Sequence, residues 1–370
     1  MTKGAQRVKL SPRDKGRSMI WLHGASLGDI NALSPLGVRL QAQGEDLLMS
    51  AVTESGRARI QQLFPRSPFI RPPLLSPWRA KRICEDWSPK LLILERLELW
   101  PPWLRVARAQ GLPVVVVNGH ISVRSLRISP ILRASFAGLS LFCGRTQRDL
   151  DRAIHLGLPP ERGCVTGDSK YDRILSAPIQ APDVTLRDAI GSLSLVIGCL
   201  HQDEEEAALT ALASYLSTSP SRRALIAPRY LSRISAIEAA ARRLKISTKR
   251  RSEGAGGCPA QLCLLDSYGE LASIYALAPI AIIGGTFGRR GGQNILEPAR
   301  WEKPVIFGPR APLLEERALE GAGGYRVTSW AEAITLSERP LVAPSLSQLR
   351  ERLGGALSRQ WSQLGAAGLI

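Results

Sequence analysis

Short apolar runs rich in β-branched residues recur along the whole chain, and between them lie stretches with apolar residues at three- and four-residue spacing. A run without polar alternation buries both faces of a strand, the habit of parallel sheets covered by helices on each side. The runs expected as strands are Met19–His23, Leu47–Val52, Leu91–Leu94, Val114–Asn118 and Leu139–Cys143 in the first half. In the second half they are Leu195–Cys199, Ala224–Ala227, Gln261–Leu265, Ile280–Gly284 and Val305–Gly308. Segments such as 30–42, 203–216 and 232–244 carry the helical spacing. At 370 residues the chain exceeds one ordinary core, so two domains of roughly 170–190 residues are expected. The Pro/Ala-rich stretch Ser176–Asp183 is the expected linker, giving domains 1–176 and 184–370. The architecture this implies is α/β, two Rossmann-like domains with parallel sheets facing a central cleft, with ligands at the carboxyl ends of strands.

Composition narrows the function classes. Lys and Arg outnumber Asp and Glu by 49 to 32, a formal net charge of +17. An excess of that size implies an anionic partner: nucleic acid, an anionic membrane surface or a charged substrate. The chain has no RNP-type aromatic strand, zinc finger or helix-turn-helix pattern, which argues against nucleic acid. The six cysteines form no CxxC pair, so they read as reduced thiols in a cytoplasmic protein without a zinc site. No apolar run approaches 18 residues, and MTKGAQRVKLSPRDKGR lacks a signal core, so neither a membrane span nor a signal peptide is expected.

The sharpest motif is IAIIGGTFGRRGGQNILEP, residues 280–298. A buried strand here runs into a glycine loop and then into a helix expected over Gln293–Ala299. Such a loop presents free N–H groups and a helix N-terminus to an anion. Arg289 and Arg290 suit a phosphate, and Glu297 suits sugar hydroxyls; the alternative is a structural turn whose glutamate complements the helix dipole. Other polar motifs also fall at expected strand ends. Trp21-Leu-His-Gly-Ala-Ser-Leu-Gly-Asp29 offers Asp29 as a general base toward a bound hydroxyl, or as a helix N-cap with Ser26 forming a turn. Glu98, His120, Arg124 and Lys170 follow strands in the first half, and His201 and Arg229 do so in the second. Ser267 to Gly269 can cradle a base.

Read in order, these segments resemble the 3-deoxy-D-manno-octulosonic acid (Kdo) transferases, GT-B enzymes of lipopolysaccharide assembly. The family pattern H-A-x-S-x-G-E is similar to His23-Gly-Ala-Ser-Leu-Gly-Asp29, and E-x-E-L-W-P-N to Arg96-Leu-Glu-Leu-Trp-Pro-Pro102. N-A-R-x-S is similar to Asn118-Gly-His-Ile-Ser122, and G-N-x-K-x-D to Gly167-Asp-Ser-Lys-Tyr-Asp172. S-T-H-x-x-E-E resembles Cys199-Leu-His-Gln-Asp-Glu-Glu205, and R-H-x-x-R resembles Arg229-Tyr-Leu-Ser-Arg233. D-x-x-G-E-L is met by Asp266 to Leu271, and the closing G-G-H-N-x-x-E-P resembles Gly291-Gly-Gln-Asn-Ile-Leu-Glu-Pro298.

The resemblance implies inverting, metal-independent transfer of Kdo from CMP-Kdo to a lipid A precursor, with no cofactor, at the cytoplasmic face of the inner membrane. It makes Asp29 the general base. It places Arg229, Ser267, Tyr268, Gly269, Glu270, Thr286, Asn294 and Glu297 around the CMP moiety, and Ser26, Gly28, Glu98, Arg124, Lys170 and His201 around the substrate. The only D-x-D, Asp149-Leu-Asp151, lies in a helical pattern away from the glycine loop, in keeping with a reaction that uses no metal.

The chain also departs from the pattern. Asp29 is one methylene shorter than the family's glutamate, and a misplacement of ~1 Å can cost roughly a hundredfold in rate. Arg96 replaces a glutamate, His120 an arginine, Tyr230 a histidine, Gln293 a histidine, and Cys199-Leu200 the pair S-T. The apolar anchor with which family members usually begin is not expected from this sequence. A divergent member is therefore expected. The alternatives are a GT-B paralogue using another nucleotide sugar or acceptor, and a non-catalytic anionic-lipid- or nucleic-acid-binding protein on the same scaffold.

Overall fold

The computed structural model describes residues 18–126, 129–253, 260–289 and 294–370; the side chain of Arg124 is outside the description. The chain forms two compact units, one of residues up to Ser176 together with Gly354–Ile370, the other Ala177–Leu353.

The first unit is built on β1 (Met19–His23), β2 (Asp46–Ser50), β3 (Phe69–Ile70), β4 (Pro89–Glu95), β5 (Val114–Gly119), β6 (Leu141–Gly144) and β7 (Gly163–Val165). Their order is β3-β2-β1-β4-β5-β6-β7, and every pairing is parallel. Successive side chains feed opposite faces. Trp21, Leu92, Leu94 and Val116 enter one core cluster, while Ile20, Leu22, Ile93 and Val115 enter the other. This two-sided burial is why the strands read as unbroken apolar runs.

The second unit carries β8 (Leu195–Leu200), β9 (Ala224–Pro228), β10 (Thr248–Arg250), β11 (Leu262–Leu264), β12 (Ala281–Ile283), β13 (Val305–Phe307) and β14 (Gly324–Arg326). The order is β10-β11-β9-β8-β12-β13-β14, again all parallel. In both sheets the strand order reverses beside the first strand, so loops diverge there and leave a place for ligand at the carboxyl ends.

Two expectations are corrected. The tail does not belong with the second half. Its last helix, Ala356–Ala366, is tied into the first unit. Asp172 accepts hydrogen bonds from Gly355 N (2.5 Å) and Leu357 N (2.8 Å), Arg359 donates to Thr166 O, and Arg39 lies 4.3 Å over the Trp361 ring. The helix expected over Gln293–Ala299 is a single turn, Leu296–Ala299, too short to carry a sizeable macrodipole.

Candidate active site

In the first unit the loop after β1 starts the helix Leu27–Ala42, with Ser26 as its N-cap and Asp29 in its first turn. The two residues exchange the roles given as the alternative to a base. Asp29 Oδ2 accepts from Ser26 N (2.9 Å) and Ser26 Oγ (2.8 Å), which fixes the carboxylate. Asp29 Oδ1 stands 3.6 Å from Arg96 Nε. Gly24 is required here, since a Cβ would lie 2.9 Å from that of Asp29, whereas a Cβ on Gly28 would make only an ordinary contact, 3.7 Å from Ser26 Oγ.

Glu98 is held from beneath. Trp100 Nε1 donates to Glu98 Oε2 (2.9 Å), and the buried His23 brings Nε2 to 3.7 Å of the same oxygen while its Nδ1 pairs with Ser50 Oγ. Burial alone would raise the Glu98 pKa, but His23 and Trp100 outweigh it and hold the group below its ordinary value. Behind this surface lies a buried network that sequence reasoning missed. Asn118 Nδ2 donates to both carboxylate oxygens of Glu95 (3.2 and 2.9 Å), and Asn118 Oδ1 accepts from Ser169 N and Gln360 Nε2. Burial, then the neighbouring Asp168, pushes Glu95 well above the usual carboxylate range. An apolar strand ending in Glu was the available signal.

Lys170 N donates to Asp168, and its ammonium lies 4.5 Å over the Tyr171 ring. Arg124 sits in a short helix, Val123–Leu126. His120 pairs with the buried Asp149 (3.0 Å), whose carboxylate also accepts from Ile121 N and Thr146 Oγ1. Asp149 of the D-x-D is thus consumed internally. Among the described residues no group of three or more His, Cys, Asp or Glu side chains is placed to hold a metal ion.

In the second unit a pocket of about 250 Å³ opens at the carboxyl ends of β8, β9 and β11. Cys199, Arg229, Ser267, Tyr268, Gly269 and Glu297 line it, so five residues expected around the nucleotide share one cavity. Tyr268 is 75% exposed, a free aromatic face at the rim. Burial raises the Glu297 pKa, against a hydrogen bond from Asn294 Nδ2 (3.3 Å). Burial likewise pushes the Cys199 thiol up to about 11, with Glu297 adding to the shift and Arg229 opposing it, so this cysteine lines the pocket as an inert thiol.

Glu270 and Thr286 do not line the pocket. Glu270 accepts from Ser267 Oγ and from Arg251 (2.7 Å), so it positions Ser267. Thr286 is fully buried; its hydroxyl donates to Ile283 O and accepts from Gly308 N (2.7 Å), bracing β12 against β13. His201 is buried with its ring edge-on to Tyr230, 6.1 Å between centroids.

The glycine loop is corrected most. Among the described residues, the backbone donors of Gly285, Phe287, Gly288 and Arg289 are not open to an anion. Glu204 Oε2 accepts from Gly285 N (2.6 Å) and His201 N (3.2 Å), and Oε1 accepts from Phe287 N (2.9 Å) and Gly288 N (2.7 Å). Asp203 Oδ2 accepts from Arg289 N (2.9 Å), and a Cβ on Gly288 would collide with that carboxylate. The protein's own acids fill the cradle. Arg290, Gly291, Gly292 and Gln293 lie outside the described residues.

Two α/β units with parallel sheets, a pocket at the strand ends of one and a carboxylate fixed at a strand end of the other give the GT-B architecture. The fold is similar to that of UDP-GlcNAc 2-epimerase from Neisseria meningitidis, with a TM-score of 0.62 over 94% of this chain and 100% of that one. At 13% identity this likeness concerns the fold alone. A family model described as 3-deoxy-D-manno-octulosonic-acid transferase matches residues 3–173. The 3-deoxy-D-manno-octulosonic acid transferase of Bordetella pertussis is 31% identical over 312 residues, covering 78% of this chain and 71% of that protein. The enzyme of that name from Aquifex aeolicus is 30% identical, covering 86% and 85%. The chain belongs to the 3-deoxy-D-manno-octulosonic acid transferase family.

Proposed function

We propose that this chain transfers Kdo from CMP-Kdo to a hydroxyl of a lipid A precursor, with inversion and without a metal, at the cytoplasmic face of the inner membrane. One observation carries the reading. The residues that the family resemblance assigns to the nucleotide come from separate strand ends, and Arg229, Ser267, Tyr268, Gly269 and Glu297 line a single pocket.

Arg229 supplies positive charge for the phosphate, Tyr268 a face on which a base stacks, and Glu297 an acceptor for ribose hydroxyls. Asp29 removes the proton of the acceptor hydroxyl as its oxygen bonds to the anomeric carbon; the bond from that carbon to the phosphate oxygen breaks, and CMP leaves with the electron pair. Ser26 holds Oδ2 of Asp29, and Oδ1, 3.6 Å from Arg96 Nε, is the oxygen that acts. Arg229 stabilises charge developing on the departing phosphate. A reaction without a metal is supported by the internal pairing of Asp149. A location on the membrane is supported by the net charge of +17. Among the described residues no helix is long and apolar enough to cross a membrane.

The test is incubation of the full chain with CMP-Kdo and a tetraacylated lipid A precursor, reading product by mass. Kdo addition is the expected result. No addition by folded protein, together with transfer from another nucleotide sugar, contradicts the reading.

A further inference from the structure

Val38 apart, the large exposed apolar side chains of the first unit among the described residues lie at or after the carboxyl ends of its strands, Val165 being the last residue of β7 and Val123 following β5. Leu27 follows β1, Val52 follows β2, and Leu75 and Trp78 follow β3. β3, β2 and β1 are consecutive in the sheet, so these loops form a lane about 10 Å across, from the sheet's edge to the strand that delivers Asp29. Leu75 and Trp78 dominate it at 67% and 66% exposure. They are not products of a loose loop. Pro72 and Pro73 beneath them are buried, and Ser76 caps the helix Pro77–Trp87 by accepting from Arg79 N (3.3 Å).

Around the two apolar side chains stand exposed cations: Arg71, Arg79, Lys81 and Arg82. Arg82 stacks over the Trp78 ring at 5.6 Å. The acids of this helix, Glu85 and Asp86, lie in its later turns and pair with Lys81 (3.8 Å) and Arg82 (3.5 Å), so the charge offered to a partner comes chiefly from Arg71 and Arg79. Scattered exposed hydrophobics mean little. A Trp and a Leu ringed by Arg and Lys at one sheet edge match the interfacial zone of an anionic bilayer, where an aromatic enters the headgroup layer and cations meet lipid phosphates.

We propose that the loop and first helical turn after β3, centred on Leu75 and Trp78, form the contact by which the enzyme lies on an anionic phospholipid surface. The proposal rests on the reading of a lipid acceptor, and it places the bilayer on the same edge of the sheet as Asp29.

The experiment uses the full chain in co-sedimentation with vesicles of phosphatidylethanolamine and phosphatidylglycerol, against vesicles of phosphatidylcholine alone. Wild type is expected to prefer the anionic vesicles. The double variant Leu75→Ser/Trp78→Ser should lose at least about tenfold in partitioning, about 1.4 kcal/mol. Val342→Ser, a control at an exposed position in the second unit, should change nothing. Arg71→Gln/Arg79→Gln should weaken binding at low salt only. Both sites are exposed, so unfolding transitions should match wild type. Partitioning unchanged in the double variant overturns the proposal, as does wild type that ignores anionic vesicles. A wild-type dimer that becomes monomeric in the double variant assigns the surface to a second copy and overturns it too. Kdo transfer in detergent micelles is scored separately: its absence with vesicle binding intact defeats the acceptor reading and not the surface.

Discussion

Replacing Glu204 with alanine would remove the one carboxylate that accepts from four backbone N–H groups around the turn after β12. Gly285 N and His201 N are buried, whereas Phe287 N and Gly288 N are partly exposed, so water can replace the acceptor only for the second pair. An orphaned buried donor costs about 1–3 kcal/mol, which gives about 2–6 kcal/mol for two, and a loss near 3–4 kcal/mol is expected. For a unit of this size that is a fall of about 6–16 °C in Tm. Glu204→Gln keeps one acceptor oxygen but turns an NH2 group toward the other two donors, so it should recover only part of the loss. Urea unfolding followed by far-UV circular dichroism, together with calorimetry of the second unit's transition, measures both. A loss below about 1 kcal/mol in the alanine variant would refute the claim that the loop is organised from within.

Three further outcomes are expected. The Glu95 pKa is raised in the fold, so native stability should fall as pH climbs from the ordinary 4.5 through the folded value and then level off. Glu95→Gln should abolish that slope, and parallel pH–stability curves for the two proteins would contradict it. Arg229→Ala should weaken CMP binding by about tenfold, the low end for a charge-assisted contact because the side chain is exposed; calorimetric titration with an unchanged Kd would remove Arg229 from the site. Deleting residues 1–17, with Lys3, Arg7, Lys9, Arg13, Lys15 and Arg17, should reduce binding to anionic vesicles in a salt-dependent way; equal binding at low salt would rule the tail out.

Much of the fold was legible because burial on both faces writes itself as apolar runs. The central strands were read almost to the residue, as with Met19–His23. The strands that escaped, β3, β7, β10 and β14, are the outermost of each sheet. Their sequences are short and mixed, such as Thr248-Lys-Arg250, because an edge strand buries little and pairs on one side only. The return of the last helix to the first unit was invisible, since Asp172 and Asn118 find their partners 183 and 242 residues away.

In the site, Arg229 and Ser267 to Gly269 were legible because they follow strands, and Glu297 because it closes the glycine-loop motif. The glycine loop misled because glycines announce close approach but not what approaches. The partner was Glu204, whose position at the start of a helix read as dipole complement. Thr286 carried the same ambiguity, as its hydroxyl serves the backbone instead of a ligand.

The central claim is that Asp29 takes the proton of the acceptor hydroxyl in transfer from CMP-Kdo. It is tested most directly by single-turnover product formation with wild type and Asp29→Asn, with CMP affinity measured on the same samples. The predicted result is product from wild type, a loss of about 10²–10⁴-fold in the variant and an unchanged CMP Kd. Equal rates for the two proteins would contradict the account.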